Sequence, residues 1–349
     1  MATPKMPRPV AWALLIGAIS TTMVGAALIN RAPEVDRQTK VHAGLYEVYA
    51  HDGSVWVTAV GSSLVPGSKL VQLDGESLEE IGSIDMGDAA GFGIAINRRT
   101  GMAYTSNTRV GTMGVINLNT GDVTHVTNPD ADGEPHLFRV VVDEANNMVY
   151  STIAQSPGQV WVVDGATSTL DRVIETGGER PTGLIHDAER NRLYVSNMGD
   201  DFISVIDLSS DRVIDKIPTV GTRSTQLAFD AAGDRLFVGN QTSNGISVID
   251  LNEMRAVRRV GVGEQPVGVA YHPIANQIFV ANRRSSTVSV IDGETYEVVG
   301  ELEIGTFPNA IHVDERTGNV YVTNKAARTP RGEEPRIDPQ GDMVTLIKP

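Results

Sequence analysis

The chain has no cysteine in its 349 residues, which excludes a disulfide framework, a cysteine-ligated zinc site, a thiol nucleophile and a lipid-modified cysteine. Long Leu, Ala, Glu and Lys stretches are also scarce, so an all-helical architecture is excluded. Basic residues are the minority. The 29 Lys and Arg against 43 Asp and Glu give a formal net charge of -14, which argues against a general nucleic-acid or anionic-membrane binder. A local basic patch is still compatible with that total, because salt screens charges beyond roughly 8–10 Å. What is plentiful is turn and strand material: 35 Gly, 17 Pro and many Val, Ile and Thr.

One long apolar run exists. Lys5 and Arg8 precede "VAWALLIGAISTTMVGAALI" at 10–29. Basic residues followed by an apolar stretch and the small-residue sites Val24-Gly25-Ala26 or Gly25-Ala26-Ala27 form an export signal, with cleavage expected there. The run also matches the ~20 residues that span a bilayer, so an uncleaved N-terminal anchor is the alternative, and the only membrane contact expected. Residues 1–32 are therefore assigned to a signal peptide or anchor with a short linker, and 33–349 to a globular body. In both cases that body is extracytoplasmic: periplasmic, cell-envelope or secreted.

Within the body one phrase recurs: an aromatic, a β-branched residue, a small residue and Asn. Its aromatic falls at Trp56, Tyr104, Tyr150, Tyr194, Phe237, Phe279 and Tyr321, at intervals of 48, 46, 44, 43, 42 and 42 residues. A second phrase follows each copy, as "SVID" at 204–207, 247–250 and 289–292 and as "MVTLI" at 343–347. Ten residues before the aromatics stand Ile94, Val140, Leu184, Leu227, Val269 and Ile311; the first copy departs from this spacing. Each unit thus contains an inner, second, third and outer strand with apolar side chains on both faces, which a lone sheet cannot bury. Seven units set radially bury them, and the spare strand "RQTKV" at 37–41 is expected to complete the last unit and close the ring.

With "YVTN" at 321–324 and seven copies in register, residues 37–349 resemble the YVTN-repeat β-propeller family. The resemblance implies an all-β, seven-bladed propeller of four-stranded antiparallel blades. It also points toward single-stranded DNA as a ligand, since a bacterial exported member of the family is associated with single-stranded DNA binding. The first three units drift, with Ala59 and Ile153 in place of Asn and Asn117 in place of Asp. WD-repeat propellers have a similar period, but no Trp-Asp pair occurs here.

Repeated residues build the scaffold, so function is sought where the copies differ. Strand alternation sorts the loops onto two faces, one of them acidic. On the other face, fourteen residues before each aromatic, the copies place His42, Ala90, His136, Arg180, Arg223, Gln265 and Phe307. Three positions further in stand Arg139 and Gln226, and His312 lies two beyond that level. Loops between second and third strands add Arg109, Arg283, Arg284, Lys325, Arg328 and Arg331. Guanidinium forks around a concavity suit phosphate or carboxylate, and Phe92, Phe138 and Phe307 offer faces on which a base can stack. A binding module for an anionic ligand, with single-stranded DNA as the specific candidate, is therefore expected. Arg139, Arg180, Arg223, Arg283, Arg284, His136, Gln226, Phe307 and His312 are its candidate contacts.

Other chemistry has less support. Asn128, Asp130 and Asp132 before Gly133 open like a calcium loop, but Arg139 stands where an EF-hand needs its bidentate acid, leaving only a looser calcium site. His136, His186 and His312 lack metal-ligand spacing, so no metal or other cofactor is expected. A propeller enzyme of lactonase or quinoprotein-dehydrogenase type is the second functional class. A structural or protein-interaction scaffold of the envelope is the third. The body is expected to be monomeric, with the insertion 325–342 in the last unit as a flap or partner loop.

Overall fold

Alternation of β-branched and small residues, broken by Asp, Asn and Gly turns, makes each repeat a meander of short strands. In the computed structural model, which describes residues 32–349 except Arg328, Pro330, Arg331, Gly332 and Pro335, these strands form seven four-stranded antiparallel sheets. The apolar run at 10–29 and the candidates Arg328 and Arg331 lie outside the described residues. Six sheets use four consecutive strands. The fourth blade, for example, runs Pro181–Asp187, Arg192–Asn197, Phe202–Asp207 and Arg212–Pro218 from hub to rim. The seventh is composite: the N-terminal strand Glu34–Lys40 pairs with Met343–Lys348, Glu34 opposite Lys348 and Lys40 opposite Met343. The chain's two ends thereby close the ring through backbone hydrogen bonds, and the edge of Met343–Lys348 is covered.

The core is not central but lies between blades. A buried apolar cluster occupies each of the seven interfaces, as where Tyr194, Ile203 and Val205 of the fourth blade meet Leu227, Leu236 and Val238 of the fifth. The repeat aromatics fill these layers; Tyr104, Tyr194, Phe237 and Phe279 are wholly buried. Each such side chain contributes about 1.5–3 kcal/mol by leaving water.

The remaining repeat positions hold turns and strand ends. Asn197, Asn240 and Asn282 are buried and each donates through Nδ2 to the serine of the following phrase, Ser204, Ser247 and Ser289, at 2.8 Å. The aspartate of that phrase caps the next turn: Asp207 Oδ1 accepts from the Ser209 and Ser210 amides at 3.1 and 2.8 Å. These residues are scaffold, as their repetition implies.

Near the axis the blades come close enough for second-strand side chains to bond the inner strand of the next blade. Ser196 Oγ donates to the Thr225 carbonyl of the next blade, Ser106 Oγ to that of Phe138 at 2.5 Å, and Thr323 Oγ1 to that of Tyr46 at 2.9 Å. At Gly183 a Cβ would sit 2.5 Å from the Thr225 carbonyl oxygen and 2.6 Å from Ser196 Oγ, so only glycine lets these two blades approach. Replacing it should cost about 1–3 kcal/mol through forced separation of the blades. Gly261, in an outer strand with nothing within 4 Å of a built Cβ, is the control. Thermal denaturation should show Gly183→Ala clearly below wild type, with Gly261→Ala at or slightly above it.

Candidate binding site at the hub

The level of the ring at which Gly183 stands is marked in five of the seven blades by an amide bonded to a second-strand hydroxyl. Gly93 N donates to Ser106 Oγ, Arg139 N to Thr152 Oγ1, Gly183 N to Ser196 Oγ and Ala310 N to Thr323 Oγ1. In the first blade the residue so placed is Glu47, whose amide donates to Thr58 Oγ1 at 3.0 Å. Counting back from Trp56 assigns Leu45 to this level and His42 to the rim, and both are corrected by the structure. The first hairpin turns on Asp52 and Gly53 alone, between paired His51 and Ser54. In the third blade four residues separate paired Asp143 and Met148. The two-residue deficit moves the register, so Gly44 with φ 78° takes the rim position and its carbonyl accepts from Val60 N.

Around this level Glu47, Arg139 and Gln226 are the long polar side chains, from the first, third and fifth blades. They meet across the axis. Arg139 Nη1 donates to Glu47 Oε2 at 2.5 Å, and Gln226 Nε2 lies 3.5 Å from the same oxygen. Burial pushes the Glu47 carboxyl above its ordinary value, with Arg139 opposing that shift. Below, the rings of His312 and Tyr49 stack at 4.5 Å. Burial first, then the neighbouring Arg139 charge, lowers His312 to about 4, so it is neutral near pH 7.

Above this floor opens a cavity of about 230 Å³, on the face that carries the loops between second and third strands. Its walls come from one inner-strand position in every blade: Tyr46, Phe92, Phe138, Thr182, Thr225, Val267 and Asn309. Three consecutive blades therefore supply aromatics and the others small or polar groups. Residues following the repeat Asn complete the wall: Met198, Gln241, Arg283 and Lys325. Tyr46 and Phe92 pack edge to face with centroids 4.2 Å apart; Lys325 Nζ stands 3.0 Å from the Tyr46 centroid and Arg109 Cζ 5.5 Å from that of Phe92. Arg283 Nη2 donates to Asn309 Oδ1, and burial lowers the Arg283 pKa from the usual guanidinium range.

The structure thus brings Arg139, Gln226 and Arg283 into the cavity wall and puts His312 beneath it. Arg223 and Arg284 line a neighbouring depression of about 340 Å³ with Gln265 and Asn244; Gln241 is shared with the cavity. Arg180, Arg223 and Phe307 have φ of 52°, 59° and 47°, and their carbonyls accept from Met198 N, Gln241 N and Lys325 N. This left-handed turn gives them exposed positions on the rim. Arg180, Phe307 and the exposed His136 do not line the cavity. Asn128 Oδ1 caps its own turn by accepting from Asp130 N at 3.0 Å. His186 lies 3.8 Å from Asp143, away from His312 on Tyr49, so the three histidines do not form a ring. Among the described residues no three His, Asp or Glu side chains are grouped as metal ligands. The insertion is fastened to the first blade by Asp342 Oδ1, which accepts from Gly44 N and Leu45 N, and to the N-terminal strand of its own blade by Lys40 Nζ, which donates to the Asp338 carbonyl. It borders a groove of about 630 Å³ that shares Tyr46 and Lys325 with the cavity.

His312 makes stability depend on pH. Its folded pKa of about 4 lies below the unfolded value near 6.5, so the stabilisation is present above pH 6.5 and is lost as pH falls toward 4. At about 1.4 kcal/mol per unit the loss reaches roughly 3 kcal/mol. Denaturant titrations of His312→Gln across pH 4–6.5 should show a flatter acid limb than wild type.

Comparison with known proteins agrees with this architecture. A family model described as YNCE-like beta-propeller matches residues 102–319, well over half the chain. The uncharacterized protein YncE of Salmonella typhi is 30% identical over 212 residues, covering 58% of this chain and 59% of the relative. YncE of Escherichia coli (strain K12) is 28% identical over the same length. The chain thus spans about three-fifths of the length of the curated relatives it matches. On the family match, and with seven four-stranded blades closed by its own N-terminal strand, the chain belongs to the YncE-like β-propeller family.

Proposed function

We propose that this chain is an extracytoplasmic binding module whose ligand is anionic and carries a flat ring, single-stranded DNA being the ligand that fits best. One observation carries this reading: Tyr46, Phe92 and Phe138 converge with Arg283 and Lys325 on one cavity, next to a depression bearing Arg223 and Arg284. At about 230 Å³ the cavity is below the usual range for drug-sized ligands and suits a single planar group. The arginine pair lies beyond Gln241, which the depression shares with the cavity, and on this reading it receives the phosphate attached to that group. Stacking contributes about 1–3 kcal/mol per base and cations track the backbone, so the two surfaces act on one strand. The overall negative charge of the chain confines binding to this patch.

The test is fluorescence anisotropy with a short labelled oligothymidylate over a series of salt concentrations. Binding should weaken with salt by a slope of about −0.7 per phosphate contacted. Phe92→Ala should weaken it by roughly fivefold or more through lost stacking, and Arg223→Ala/Arg284→Ala should reduce the salt slope. Absence of binding at low salt, or a salt response unchanged in the double arginine variant, contradicts the proposal.

A further inference from the structure

The floor of the cavity carries an acceptor that no protein donor meets. Gln226 is only 8% exposed, lines the cavity, and its Oε1 has no hydrogen-bond partner. The orientation of its amide follows from its neighbour. An ionised carboxylate only accepts, so Gln226 turns its NH2 group toward Glu47 and its oxygen elsewhere. Glu47 still has a lone pair to offer, since a carboxylate accommodates about four bonds and Arg139, Gln226 and the Val48 amide take three. On the wall, Arg283 Nε is a buried donor without an acceptor. Buried polar groups in native proteins are rarely left open; both atoms are closed to solvent, so each side chain has to turn slightly for a ligand to complete it.

The complement of this surface can be stated as chemistry. Beneath aromatic walls the floor offers two neighbouring acceptors, the Glu47 carboxylate and Gln226 Oε1, and the wall offers a guanidinium donor. A flat ring that satisfies them needs two adjacent N–H donors and an acceptor beside them. Guanine has that edge, with N1–H, the N2 amino group and O6. Thymine has one N–H between two carbonyls, and cytosine and adenine each have one amino group beside acceptors. Resting on the reading of this cavity as a base-stacking site, we propose that Glu47 and Gln226 select guanine. N1–H and the N2 amino group donate to the carboxylate and the amide oxygen, and O6 accepts from Arg283.

The experiment uses the whole propeller and five labelled strands: an oligothymidylate and versions with one central adenosine, cytidine, guanosine or inosine. Inosine lacks only the N2 amino group. The guanosine strand should bind roughly tenfold more tightly than the others, inosine included. Gln226→Met, close in volume, and Glu47→Gln should each bring the guanosine strand to within about twofold of the plain strand. Circular dichroism melting confirms that each variant is folded. Equal binding of all five strands, preference for another base, or a guanosine preference that survives both substitutions overturns the proposal while leaving single-stranded DNA binding intact. Failure of every strand to bind overturns the underlying reading and the proposal with it. The inosine comparison needs only the wild-type protein, so it decides even if a variant does not fold.

Discussion

The close approach of neighbouring inner strands at the hub is the constraint on which the rest depends. A four-stranded sheet with apolar side chains on both faces is unstable alone, and each blade becomes stable only when its neighbours cover it. Covering is tightest at the axis, where a hydroxyl of one blade donates to a carbonyl of the next, as Ser196 does to Thr225 and Thr323 to Tyr46. That contact tolerates no Cβ at Gly183 and fixes where every inner strand begins. Because the N-terminal strand joins Met343–Lys348, the first and seventh blades meet in the same way and the spacing is kept around the circle.

Fixed backbones leave the hub's chemistry to those side chains that differ among the copies. At the ring level most blades keep glycine or alanine, while Glu47, Arg139 and Gln226 extend across the opening and meet. A buried ion pair with an amide beside it is a poor source of net stability, since desolvation opposes the attraction between the charges. Its consequence here is positional: it closes the channel and presents acceptors upward, beneath rings donated by three consecutive blades. The hub is thus divided into an aromatic half and a polar half, although the scaffold around it is nearly uniform.

Much of this was legible in the chain. Period, strand order, ring closure by the segment at 37–41 and the scaffold role of the repeat Asn and Asp follow from spacing and residue type, which are local properties. Arg139, Gln226, Arg283, Phe92 and Phe138 could be placed near the axis for the same reason. Glu47 and Tyr46 were missed because the count ran back from Trp56 through a hairpin two residues shorter than the others. The signal was present as "HDGS" at 51–54, an Asp-Gly pair of the kind that makes a two-residue turn. The directions of Arg180 and Phe307 were not legible, because they depend on a left-handed turn that non-glycine residues rarely adopt and that spacing does not encode.

The most direct measurement is a double-mutant cycle on stability with Glu47→Gln, Arg139→Met and the pair. These residues are 92 positions apart and touch only if the ring closes with the first blade in the shifted register. A coupling of roughly 1–3 kcal/mol between the two substitutions is predicted, and additivity to within about 0.3 kcal/mol would contradict the meeting of the two side chains across the hub.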